Sequence, residues 1–477
     1  MRESARFDVL LPGNNLAVMV AALELAEGGS QVLLASDGKP LGGHFAGLTL
    51  DGHAFDIGMV FMEKGCPITQ ASDPRTYDPQ RRNDCARFFG LVGEFLDSLV
   101  ESRRIPCMEV RQGGRRYPDF ILSNRLDFLA GQPHRETLLG ELESASPRAD
   151  EHASNKVAHP HFDQLDYASA SRFNHGDTLH ETCFEPLCRK ILGVSGERLL
   201  ARYHRLGWLP LYYPETLAQY LREGASGLAE YPYWTTAEGF VGSLVTRLRA
   251  RLAAHPRVRL LERPLRGLRR QGDRVALEDD QGQVHHGTQL AVGLAADRLA
   301  QLCSLPRPAP REGVSLVVVL GLVRREDIVN AIGCLLVADT EHATYRVTDQ
   351  DAVAGLDPEW HRISIEANLA ACRERYSDTE DHSLALGEEL KALGVLAQGA
   401  RLRVLKTLVA RNALPLPTPE LLAAPACPAG LDELLPGAEL TGSLLGFSVA
   451  SMNDQIIQGL RIARLWTADP LPSEQQA

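Results

Sequence analysis

The stretch Phe7–Ala35 constrains this chain more than any other. FDVLL (Phe7–Leu11) is a short apolar run of strand type, and PGNN (Pro12–Asn15) supplies a tight turn. LAVMVAALELA (Leu16–Ala26) is too long for a strand and rich in Ala and Leu, which predicts a buried helix. Gly28-Gly29 stops that helix, and QVLLA (Gln31–Ala35) reads as a second strand. Strand, turn, apolar helix and strand within so short a span make a βαβ unit.

Paired glycines follow directly, in Pro40-Leu41-Gly42-Gly43-His44, and then come Gly52 and Asp56-Ile57-Gly58. A Gly-Gly pair lets a loop pass close to something bulky, and its position after a βαβ unit points to a ligand. Further on, residues 84–100 predict an amphipathic helix, and 108–122 a hairpin turning at Gly113-Gly114. Polar residues 142–178 read as a surface excursion or lid, with His152, His159 and His161 as solvated side chains. Val258–Leu261 is a strand, and 264–294 a β-meander with turns at Gln271-Gly272-Asp273 and Asp280-Gln281-Gly282. Apolar runs at 314–323 and 331–338 begin a second sheet, continued by 343–347, 363–367 and 402–411. The chain closes with a strand over 440–445 and a helix over Met452–Trp466.

With 477 residues, 44% hydrophobic, the chain holds ample material for a large core. Its net charge of −11 argues against nucleic acid as a partner. Nine scattered cysteines with no CxxC pair argue against a disulfide framework, and no apolar run is long enough for a membrane span. These features predict a cytoplasmic protein without a metal site, acting on a small molecule; a homodimer stays open. There is no GxSxG, Walker loop or HExxH.

This order of elements resembles the FAD-binding superfamily of amine oxidases, protoporphyrinogen oxidases and UDP-galactopyranose mutases. FDVLLPGNNLAVMVAALELAEGGSQVLLAS is similar to the dinucleotide fingerprint, and PLGGHFAGLTLDGHAFDIG to the second motif. GGRRYPDFILSNRLDFL resembles the substrate-domain entry, YPYWTTAEGFVGSLVTRL the glycine-marked helix start, and ATYRVTDQ with RISIEANL a paired strand carrying an Arg and a Glu. LTGSLLGFSVASMNDQIIQGLRIA resembles the last strand and flavin-contacting helix. The resemblance implies an α/β fold: a Rossmann-like FAD-binding domain with a central β-meander, plus an α+β substrate domain. The first would comprise 1–80, 236–310 and 421–477, and the second 81–235 and 311–420.

It also implies FAD held by Gly13, Asn14, Asn15, Ser36, Asp37, Gly42, Gly43, His44, Gly442, Ser443, Ser451, Met452 and Asn453. Several of these depart from the pattern. Where GxGxxG has three glycines the chain has Gly13, Asn15 and Val18; the ribose-binding Glu is Ser36, with Asp37 adjacent; and His44 replaces the Arg. Asn15 is expected to take a left-handed conformation that preserves the turn, and Val18 to push the helix off the sheet or narrow the cradle. The implied activity is oxidation of a small organic substrate by hydride transfer to flavin. The alternatives are a flavin-dependent mutase acting on a nucleotide sugar, and a non-catalytic binding module that keeps the fold. Tyr212, Tyr213, Tyr233 and Trp234 are candidate substrate-binding walls, with Arg346, Tyr345 and His204 as candidate catalytic residues. Arg346, on a strand among apolar residues, needs either Glu366 or an anionic substrate as partner.

Overall fold

Ala5–Pro12 and Val32–Ala35 form adjacent parallel strands, and the helix Leu16–Glu27 crosses between them. A computed structural model describes residues 5–64, 90–106, 108–153, 164–225, 230–376, 381–445 and 451–467. Nearly every residue of Leu16–Glu27 is buried, as an apolar helix without a polar face requires. The closing helix Met452–Trp466 packs across it at Gly459. A Cβ at Gly459 would stand 2.6 Å from the Ala17 carbonyl and from Val20 Cβ, so the crossing depends on glycine.

Val258–Leu261 pairs in parallel with Val32–Ala35, extending the first sheet on one side. On the other side the meander Leu265–Gln271, Arg274–Asp279 and Val284–Val292 joins antiparallel within itself and parallel to Ala5–Pro12. The second sheet is built around Gly313–Arg324, whose neighbours are Trp360–Asn368 and Arg403–Pro415. It continues through Thr344–Asp349 and Cys334–Val337 to the hairpin Glu109–Gln112/Arg115–Pro118. The result is an α/β fold with a Rossmann-like sheet and a separate mixed sheet.

Two expectations are corrected. The described residues within 142–178 are largely helical rather than a loop: Arg135–Ala153 and Tyr167–Leu179 pack together, with Tyr167 fully buried. Composition misleads there because the buried face carries small and polar residues, such as Ala168, Ala170, Ser171, Asn174 and His175, beside Tyr167. His159 and His161 lie outside the described residues, as does the His152 side chain. The closing strand is only Glu439–Leu440, because Gly442, at φ +60°, turns the chain into a short 3-10 helix, Gly442–Leu445.

Among the described residues no helix is long and apolar enough to cross a membrane, and no group of three or more His, Cys, Asp or Glu is placed to hold a metal.

Candidate functional site

The turn after the first strand brings the ends of two strands together. A Cβ on Gly13 would lie 2.5 Å from the backbone of Gly293, so glycine is required there. Asn15 is not left-handed: at φ −75° it is an extended N-cap, its Oδ1 accepting from Val18 N–H at 3.1 Å. Its Nδ2 donates to Thr441 Oγ1 at 3.0 Å. Val18 does not displace the helix; its Cγ1 occupies space left by Gly293, where a Cβ would lie 2.8 Å away. The Leu16 N–H donates to Gln455 Oε1 at 2.9 Å, and the Gly442 N–H to Gln458 Oε1 at 2.7 Å. Asn14 closes the loop, bonding Pro40 O and accepting from Gly42 N–H.

At the end of the second strand, Ser36 is buried and its hydroxyl has no partner. Asp37 accepts from Leu265 N–H at 2.8 Å and from Arg298 Nε and Nη2 at 2.7 and 2.8 Å. Burial alone would raise its pKa; Arg298 and the Leu265 N–H outweigh that and hold it below the usual range.

A bound dinucleotide needs open N–H donors at the helix start and a free carboxylate for the ribose. Here Leu16 and Val18 already donate to side chains, Asn15 stands between Gly293 and Gly442, and Asp37 is engaged by Arg298. These residues do not fit the diphosphate of FAD in the position the resemblance implies.

The remaining nucleotide-side residues divide. Gly42, at φ +90°, packs on Val245, whereas a Cβ on Gly43 would meet nothing within 4 Å. His44 and Ser443 are exposed. Ser451 caps the closing helix by accepting from Asp454 N–H, and its hydroxyl donates to the Asp454 carboxylate at 2.6 Å. Asn453 bonds the backbone of Glu63, and Met452 is buried in the core between the helices. An acidic side chain thus already sits in the first turn of that helix.

The Asp56-Ile57-Gly58 motif has a structural role. Asp56 accepts from Val241 and Gly242 N–H at 2.9 and 3.0 Å, anchoring the start of Gly242–Ala254. Burial pushes its carboxyl up to about 7 against those two N–H groups. The folded chain therefore keeps a proton that the unfolded chain loses above about pH 4. Stability should fall as pH rises from there through about pH 7. Asp56→Asn should flatten that slope in denaturant titrations; an unchanged slope would refute the assignment.

Gly58 abuts the second sheet. A Cβ there would stand 2.8 Å from the Glu366 carboxyl carbon, and Met59 N–H donates to Glu366 Oε1 at 2.9 Å. The same carboxylate receives Arg346 Nε at 2.7 Å, Arg346 Nη2, and the Tyr345 hydroxyl at 3.2 Å. Burial would lower the Arg346 pKa; Glu366 outweighs it and holds the guanidinium charged. Burial and Glu366 raise the Tyr345 pKa far above normal, keeping its hydroxyl a donor. Arg346 lies over Trp208, 4.8 Å from the ring centre. Arg346 Nη1 and Trp208 Nε1 are both buried with no partner, and Trp208 holds a φ of +59°.

The candidate walls do not gather around this cluster as a set. Tyr212 is core, its hydroxyl bonded to Phe120 O, and Tyr233 is nearly so, its hydroxyl 3.5 Å from Leu122 O. Trp234 pairs with Arg104 in a two-stranded ribbon and packs on the first core. Tyr213 is half-buried ahead of Pro214–Glu223, where burial and Glu215 push its hydroxyl up to about 12. His204 is buried with Nδ1 2.6 Å from Leu209 O, which fixes a local turn. Sequence reasoning missed Trp208, Gly293, Thr441, Gln455 and Gln458. The two glutamines, one turn apart on the buried face of an amphipathic helix, were the available signal.

No family model matches the chain, and no curated protein does. Solved structures do. A reduced UDP-galactopyranose mutase aligns with TM-score 0.66 at 14% identity, over 96% of this chain and 93% of that one. A putative protoporphyrinogen oxidase from Exiguobacterium sp. 255-15 aligns with TM-score 0.62 at 15% identity, over 97% and 98%. The chain has the flavoprotein amine-oxidase-like fold. A putrescine oxidase bound to putrescine shares that fold, with TM-score 0.57 at 14% identity over 98% of this chain and all of the other. Within the amine-oxidase-like fold, the Arg346–Glu366 pair joins the second sheet to the Gly58–Met59 segment that follows the Gly-Gly loop.

Proposed function

We propose that this chain is a binding protein on a flavoprotein frame, taking a small anionic ligand, a carboxylate or phosphate, at Arg346. The observation that carries this reading is the buried Nη1 of Arg346, left without a partner beside the equally unpartnered Trp208 Nε1. A buried donor without an acceptor costs about 1–3 kcal/mol. A ligand oxygen supplies that acceptor, while Glu366 fixes the other edge of the guanidinium fork. Tyr345 steadies Glu366 in this reading and does not itself meet the ligand.

The test is calorimetric titration with inorganic phosphate, citrate and UDP. Arg346→Lys keeps the charge and loses the planar fork, so affinity should fall at least about tenfold. Failure of all three probes to bind the wild type, or equal binding by the lysine variant, defeats the reading.

A second reading is an FAD-dependent oxidoreductase moving hydride from a small organic substrate to flavin. It is supported by the open space beside Gly43 and by the full-length likeness to oxidase folds. Flavin bands in the visible spectrum of the purified protein would favour it over the binding-protein reading.

A further inference from the structure

We propose that a clasp of this chain's own amide side chains has taken the structural place of the dinucleotide's diphosphate, so that the fold is complete without a nucleotide. The donors that would face a diphosphate are the N–H groups of the first helix start and of the glycine after the closing strand. Three of them are satisfied internally: Val18 by Asn15, Leu16 by Gln455 and Gly442 by Gln458. Each acceptor is a neutral carbonyl, which satisfies an N–H without the desolvation cost of a charge.

The clasp joins four parts of the chain. Asn15 belongs to the first turn, and its Nδ2 reaches Thr441 Oγ1. Thr441 donates in turn to Val292 O at 3.0 Å, at the end of the meander. Gln455 and Gln458 come from the closing helix. The surrounding glycines fit this arrangement. A Cβ on Gly293 would lie 2.8 Å from Asn15 Oδ1, and one on Gly442 2.8 Å from Asn15 Nδ2. Both positions leave room for the asparagine side chain. Val18 fills the space that a third fingerprint glycine would leave, again against Gly293. Substitutions at 15 and 18 that weaken a nucleotide seat are thus matched by partners that use them.

This inference is independent of the anion reading at Arg346, since the residues and ligands tested differ. The test uses the full chain. Wild-type protein should purify without flavin bands, and added FAD or ADP should shift its Tm by less than about 1 °C. Asn15→Gly with Val18→Gly frees the backbone N–H at position 18 and clears the space between Gly293 and Gly442, and should bind FAD at least about tenfold more tightly than wild type in a fluorescence titration. Gln455→Leu strips the acceptor from Leu16 N–H and should lower Tm with no nucleotide present. Wild type that carries or saturably binds FAD overturns the inference, whether or not the double variant folds. A Gln455→Leu protein with unchanged Tm, or a folded double variant that gains no affinity, overturns it as well.

Discussion

Glu366→Ala should destabilise the protein by about 3–5 kcal/mol, read from the shift in denaturant midpoint. The carboxylate receives four donors: Arg346 Nε and Nη2, Tyr345 Oη and Met59 N–H. Only about 5% of Arg346 is exposed, so removing Glu366 leaves a buried guanidinium without its counter-charge. The alanine also opens a void beside Gly58, whose missing Cβ makes room for the carboxylate. Glu366→Leu with Arg346→Met removes both charges and should recover much of the loss, because replacing a buried pair by apolar groups is often neutral or favourable. If the single variant loses less than about 1 kcal/mol, solvent reaches this pair and it is not a buried anchor.

Much of the fold was legible because its signals are local. The strand Val258–Leu261, the helix Met452–Trp466 and the hairpin at Gly113-Gly114 follow from runs, caps and turn residues that act on their near neighbours. That Arg346 needs a partner was legible too, since an arginine inside an apolar strand cannot stay unpaired; the sequence left Glu366 and an anionic substrate as the candidates, and Glu366 meets it. What was not legible depends on partners far apart in the chain. Val18 looks incompatible with tight packing until Gly293 is placed against it. Tyr212 and Tyr233 look like ligand-facing aromatics until their hydroxyls are seen to meet the carbonyls of Phe120 and Leu122. Asn15 was expected to replace a glycine by copying its left-handed backbone. It instead keeps an ordinary extended conformation and uses its side chain, a solution that is visible only once Thr441 is beside it.

Arg362→Ala should cost a similar amount, about 3–5 kcal/mol, for a different reason. Arg362 uses its whole fork to tie separate parts of the chain together. Nε lies 3.0 and 3.1 Å from the two oxygens of Asp351, Nη1 donates to Ala54 O at 2.7 Å, and Nη2 to Glu238 O at 2.9 Å. Its own N–H donates to Asp351 Oδ2 at 2.7 Å. The alanine keeps that last bond and loses all the others, leaving Asp351 buried without the guanidinium and taking the arginine donors away from two carbonyls. Ala54 lies just ahead of Asp56, and Glu238 just ahead of the helix that Asp56 anchors, so the arginine holds both sides of that contact in register. Gly239 is part of the same arrangement. It sits at φ +63°, where a Cβ would stand 2.4 Å from Gln350 O and 3.1 Å from Arg362 Nη2. Arg362→Lys separates charge from geometry. One ammonium can pair with Asp351 but cannot span Ala54 O and Glu238 O from a planar fork, so it should recover less than half of the loss. Wild-type stability in the lysine variant would mean that the ion pair alone matters and that the two carbonyl contacts contribute nothing.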